Sequence, residues 1–212
     1  MRNQKTPIAL EGLPFLLAAA LLTGVFAFFG LNVLAVLGFL ITGFIAFFFR
    51  NPQRNIPADE RAVLAPADGL VIFLGNALED HLQEEMTKIS IFMSVFNVHV
   101  NRAPVSGSVV ESFYKKGKFL DVRDAKATFE NEQAGLVVET GSMKMVVVQV
   151  AGLIARRIVC YPKKGDTLKR GDRYGLIRFG SRLDVYLPKS CVVRVALGDK
   201  TVAGETILGT LS

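Results

Sequence analysis

Near the end of the chain, residues 178–188 read R-F-G-S-R-L-D-V-Y-L-P. Gly180-Ser181 stands between two β-patterned stretches, where a tight turn more often carries Asn-Gly or Asp-Gly. One reading is an ordinary turn. The other is a peptide bond built to break itself. The chain has two histidines, so each can be weighed. His81 lies in the charged run E-D-H-L-Q-E-E, which reads as solvated surface. His99 lies in I-F-M-S-V-F-N-V-H-V-N-R-A-P, at the end of an apolar strand pattern. Strand alternation there puts Asn97, His99 and Asn101 on one face, which is either a solvent face or the wall of a site. Histidine titrates near neutrality and moves protons. Asp68, in A-P-A-D-G, is either a turn residue or the acid that orients His99. No His/Cys spacing suits a metal, and no Gly-rich loop ends in Lys-Ser/Thr before a helix.

The elements that must hold these residues follow from composition. From Leu13 to Phe49 there is no charged side chain. One straight helix over that run would be roughly 55 Å long at about 1.5 Å per residue, against a hydrocarbon core of about 30 Å. Gly30-Leu31-Asn32 divides it into Leu13–Phe29 and Val33–Phe49. Pro14 suits a first helical turn, and Pro52 cannot continue the second helix. Arg2 and Lys5 precede the pair, Arg50 and Arg54 follow it, and the connection carries no charge. The expectation is a transmembrane or membrane-inserted α-helical hairpin over 1–50 with both ends in the cytoplasm. The β-patterned domain, 51–212, is then expected on the cytoplasmic side of the cell membrane. The net charge of +6 suits an anionic membrane surface, and no basic-aromatic interleaving points to nucleic acid. Cys160 and Cys191 read as reduced thiols.

After Arg50 the pattern is β. Ile89–Val100, Ser108–Tyr114, Leu136–Thr140, Met145–Val150, Ile158–Tyr161, Leu176–Phe179, Val185–Leu187 and Val192–Ala196 are strand-like, while Ala77–Met86 and Val122–Asn131 look helical or irregular. Gly165-Asp166 with Gly171-Asp172, and Gly198-Asp199 with Gly204-Glu205, form a faint repeat. The fold class expected is mainly β, a lipoyl-like barrel-sandwich.

P-A-D-G at 66–69, F-N-V-H-V-N-R-A-P at 96–104, E-N-E-Q at 130–133 and F-G-S-R at 179–182 together resemble the phosphatidylserine decarboxylases. The likeness is to the short, membrane-associated bacterial and archaeal branch, and F-F-R-N-P-Q-R after the hairpin fits it. The longer bacterial enzymes carry L-G-S-T at the break and a second histidine where this chain has Arg102. The resemblance implies self-cleavage between Gly180 and Ser181 into a large chain, 1–180, and a small one, 181–212, paired as a heterodimer. Ser181 would become a pyruvoyl group that forms a Schiff base with phosphatidylserine in the membrane and yields phosphatidylethanolamine. His99, held by Asp68, would supply the base, and Arg102 with Asn101 would meet the substrate. A homo-oligomer and an archaetidylserine substrate both stay open. A rival reading starts from Met143-Lys144-Met145, the M-K-M of biotin carriers: a membrane-anchored biotin- or lipoyl-type carrier modified at Lys144. Gly141-Ser142 precedes it where carriers have Glu-Ala, and three valines follow.

Overall fold

The computed structural model describes residues 6–124, 126–153, 157–178 and 180–211. Arg2, Lys5 and Phe179, used above for topology and for the end of a strand, lie outside the described residues. The chain forms two compact units, residues 3–53 and 54–212.

The first unit is a helical hairpin. A 3-10 turn, Leu10–Gly12, leads into α1 (Leu13–Phe28), and α2 covers Asn32–Phe48. Gly30, at φ +70°, makes the reversal. A side chain on Gly38 would collide with the Thr23 hydroxyl, so small residues bring the helices close. Asn51 Nδ2 donates to the Thr6 carbonyl and Ala9 N–H to that of Phe49, which ties the open ends together. Leu17, Leu21, Phe28, Val33 and Phe39 all point outward and are well exposed. By length and composition Leu10–Phe28 can cross a membrane, whereas Asn32–Phe48 is apolar but shorter.

The described residues of the second unit are β, with one short helix. Its first strands are β1 (Ala62–Leu64), β2 (Gly69–Glu79), β3 (Glu84–Met93), β4 (Val100–Arg102) and β5 (Gly107–Lys115). After α3 (Ala127–Glu130) come β6 (Gln133–Thr140), β7 (Met143–Ala151), β8 (Arg157–Cys160), β9 (Thr167–Leu168) and β10 (Arg173–Arg178). The last are β11 (Ser181–Leu187), β12 (Val192–Val193), β13 (Lys200–Thr201) and β14 (Ile207–Thr210). The large sheet has the order β13-β2-β3-β11-β7-β6-β5-β9, and two three-stranded sheets have the orders β1-β14-β12 and β4-β10-β8.

These orders mirror one another. The run β4 to β10 repeats the arrangement of β1, β2, β3, β11, β12, β13 and β14, and it is inserted between β3 and β11. The faint glycine repeat is the visible part of this duplication. Gly204 N–H donates to the Ala65 carbonyl and Gly171 N–H to that of Ala103. Gly198 and Gly165 do the same to Val71 and Val109. All four glycines have positive φ, the left-handed geometry that their turns require. The Gly180–Ser181 bond therefore lies at the seam where the inserted half hands the chain back.

Two expectations change. Ala77–Met86 is neither helical nor irregular but the tip of the β2–β3 hairpin, closed by Glu79, whose carboxylate accepts from the His81 and Leu82 N–H groups. Ile89–Val100 is not one strand. The Asn97 side chain accepts from Ser94 N–H and Oγ, and this turn ends β3 before β4 starts. Asn97 thus leaves the face that alternation gave it. The main core lies between the sheets and takes Ile89, Ile91 and Met93 of β3, Val147 and Ala151 of β7, and Leu183, Val185 and Leu187 of β11.

Candidate active site

Ser181 opens β11, the central strand, and pairs with Met93 of β3 and Ala151 of β7. It is 0% exposed. Alternation turns Ser181, Leu183, Val185 and Leu187 into the main core, and sends Arg182, Asp184 and Tyr186 to the other face. Gly180, just before, has φ +64°, where a side chain would be strained. Among the described residues, the Ser181 hydroxyl donates to Met93 Sδ alone, at 3.4 Å. A thioether is a weak acceptor, so the hydroxyl is desolvated yet lightly held.

The same sulfur takes a long contact, 3.8 Å, from Asn101 Nδ2. Asn101 Oδ1 accepts from Gln149 Nε2 at 2.8 Å. Asn101 and Gln149 are both fully buried, so a polar strip runs from Ser181 through the core. Gln149 is a residue that the sequence did not single out. It faces the same side of β7 as Ala151, but in Q-V between valines it reads as one polar position in an apolar strand.

His99 is buried immediately before β4. Val100 pairs with Leu176, which places His99 level with Ile177, on the strand that leads to Gly180. His99 Nδ1 lies 3.0 Å from the Asn97 carbonyl. A carbonyl only accepts, so Nδ1 carries a proton; in the neutral ring the lone pair a general base needs is then on Nε2.

Asp68 is not joined to His99. One nitrogen of Arg54 lies 2.8 Å from both of its carboxylate oxygens, and Ala203 N–H donates to Oδ1. Arg102 is nearly buried and donates to the Gly171 carbonyl at 2.9 Å. Burial pushes its pKa down, and so do Arg54 and Arg173; Asp68 and Asp172 act the other way. Three guanidinium groups therefore gather around two carboxylates, leaving a surplus of positive charge.

On the far face of β11, Arg182 pairs with Asp184 through Nε and Nη2 and donates to the Val122 carbonyl and Thr128 Oγ1. Lys88 reaches the same Asp184 at 3.0 Å. Lys88 and Arg182 also line a cavity of about 700 Å³. Ser181 points away from that cavity, so the chemistry belongs to the core side. Lys144, of the carrier reading, is exposed beside the β6–β7 turn.

A family model described as phosphatidylserine decarboxylase matches residues 41–209. A protein of Geotalea uraniireducens is 70% identical over 212 residues, covering all of both chains. Proteins of Geobacter metallireducens and Geobacter sulfurreducens are 68% and 65% identical, again covering all of each chain. All three are named phosphatidylserine decarboxylase proenzyme. With similarity at this level along the full chain, the protein belongs to the phosphatidylserine decarboxylase family, in its short bacterial form.

Proposed function

We propose that this chain is a proenzyme that cuts itself between Gly180 and Ser181 and then decarboxylates phosphatidylserine to phosphatidylethanolamine. The observation that carries the reading is Ser181 itself: a fully buried, lightly held hydroxyl directly after a left-handed glycine. Ser181 Oγ attacks the Gly180 carbonyl carbon while its proton passes to His99 Nε2. The C–N bond breaks, the freed amine takes a proton, and an ester replaces the amide. Loss of the Ser181 α-hydrogen then expels the Gly180 carboxylate and leaves dehydroalanine. Addition of water and loss of ammonia give the pyruvoyl group. Burial supports this order, because a site closed to bulk water protects the ester from simple hydrolysis before elimination.

The pyruvoyl group supplies an electron sink for the pair left when carbon dioxide departs. The residues around position 181 fit such a group: Asn101 and Gln149 offer polar contacts within an otherwise apolar wall. His99 would return a proton to the substrate carbon. Arg102, amid surplus positive charge, is proposed to hold the substrate's phosphate or carboxylate. Asp68 would act on His99 by exchanging its contact with Arg54, which an incoming anion would draw away.

The finer architecture belongs to the same proposal. The mirrored halves and glycine turns support a lipoyl-like barrel-sandwich. The outward apolar side chains of the hairpin support its insertion in the cell membrane, where the substrate resides, with the catalytic unit on the cytoplasmic side. Residues 1–180 and 181–212 would stay together as a heterodimer. The test is mass. Purified wild-type protein should give two chains split after Gly180, the smaller one blocked at its N-terminus, and should release carbon dioxide from carboxyl-labelled phosphatidylserine in mixed micelles. Ser181→Ala should stay a single 23.1 kDa chain and release none. A split Ser181→Ala chain would refute the mechanism.

A further inference from the structure

The chain contains three Gly-Ser pairs, at 107–108, 141–142 and 180–181. Two of them have a left-handed glycine: Gly141 at φ +59° and Gly180 at φ +64°. Dipeptide and backbone angle therefore do not single out one bond. The surroundings do. Ser142 is exposed in a turn, whereas Ser181 is buried.

The Gly180 carbonyl packs against Gly152, as the Phe92, Glu139 and Val159 carbonyls pack against Gly69, Gly107 and Gly175. A Cβ built on Gly152 would fall 2.3 Å from the Gly180 oxygen, nearer than the 3.0 Å that real Cβ atoms essentially never breach. The φ of Gly152 lies outside the left-handed region, so its own backbone tolerates a side chain. What excludes one is the carbonyl of the bond proposed to break. We propose that Gly152 is a positioning residue for self-cleavage: its missing side chain is the seat that holds the Gly180 carbonyl at the angle Ser181 attacks.

Asn131, from the E-N-E-Q stretch, locks this seat. It is fully buried. Its Nδ2 donates to the Ala151 carbonyl at 2.7 Å and to that of Leu120 at 2.9 Å, while Oδ1 accepts from Leu120 N–H at 3.0 Å. The Ala151 N–H donates to the Glu132 carbonyl at 2.9 Å, so both backbone groups just ahead of Gly152 are fixed. The loop that Asn131 grips through Leu120 continues to Val122. A Val122 methyl lies 3.2 Å from the same built Cβ, and the Val122 carbonyl takes Arg182 Nη1 at 2.7 Å. One side of the bond is thereby held through Gly152 and the other through Arg182, by the same loop.

The inference rests on the self-cleavage proposed above, and the two fail differently. Full-length chains are synthesised without cells in the presence of lipid nanodiscs, and appearance of the 1–180 fragment is followed by gel. An intact wild type would remove self-cleavage altogether. If wild type splits, Gly152→Ala is expected to slow the step by about 100-fold or more, because its Cβ pushes the carbonyl by roughly 0.7 Å. Hydroxylamine, which cuts esters, should not restore the fragment, since the ester never forms. A wild-type rate, or full release by hydroxylamine, would overturn the proposal. Folding is compared between Ser181→Ala and Ser181→Ala/Gly152→Ala by thermal unfolding, and equal midpoints are expected. Should the double variant not fold, Asn131→Ser, which adds no bulk, decides the matter. It is expected to slow cleavage about tenfold, and an unchanged rate would overturn the role of the seat.

Discussion

At the level of single residues, the proposed chemistry depends on which nitrogen of His99 carries the proton in the neutral ring. The Asn97 carbonyl answers this, because it holds the proton on Nδ1. Removing the imidazole removes the base and leaves Ser181 and Gly180 in place. His99→Ala is therefore expected to slow appearance of the 1–180 chain by about 10²- to 10⁴-fold. A gel time course checks this, and an unaltered rate would take His99 out of the site. The Arg54 partner of Asp68 was not legible in the sequence. Asp68 in a Pro-Ala-Asp-Gly turn suggests an orienting acid, yet its carboxylate is held by Arg54. Arg54 sits in the polar segment after the hairpin, and no strand or helix period relates it to position 68. Ser181 and Gly180 stand out in the sequence because the chemistry proposed for them is local. Gly152 does not, because only its approach to another strand gives it a role.

At the level of elements, β11 carries opposite environments on its two sides. Val185–Leu187 reads as a strand from apolar residues alone, but Ser181–Asp184 does not, because Arg182 and Asp184 break the pattern. They break it as partners two positions apart on one face, together with Lys88. Burial lowers the Lys88 pKa, with Asp184 opposing. Asp184 is shared by two buried cations. Asp184→Asn should destabilise the domain by about 3–5 kcal/mol, because it leaves both cations uncompensated. Adding Lys88→Met should recover part of the loss. Urea midpoints of the two variants in the Ser181→Ala background measure this, and additive losses would contradict it. Other elements were hidden for simpler reasons. β9, β12 and β13 have two residues each, too few to show a period, and the turn at Ser94–Asn97 interrupts what composition presents as one strand. The helical hairpin was plain because an uncharged run of that length needs no periodicity to be seen.

At the level of the whole molecule, the mirrored topology distributes the small chain through the fold. β11 lies between β3 and β7, β13 pairs with β2, and β14 joins β1 to β12. A cut before Ser181 therefore removes one covalent link and no strand pairing. The same interleaved interior encloses acids whose ionised forms it cannot solvate. Burial pushes the Cys160 thiol up to about 12 from an ordinary 9.0, and raises Tyr174 and Tyr186 as well. Each group loses its proton more readily unfolded than folded. Their protonated forms thus support the fold fully below about pH 9, and that support is lost as pH climbs toward 12. Cys160 leads, because its unfolded value is the lowest of the three. Between its unfolded and folded values, one such group lowers stability by roughly 1.4 kcal/mol per pH unit. The urea midpoint of the uncleaved Ser181→Ala chain should be flat from pH 7 to 8.5 and fall from pH 9 to 10.5. Burial raises the Cys191 thiol as well, so Cys160→Ala should shrink the early part of that fall, Cys160→Ala/Cys191→Ala should remove it, and the later part, where the tyrosines ionise, should stay. A midpoint that holds steady to pH 10.5, or a Cys160→Ala curve with the same early slope, would show that these groups reach water in the folded chain.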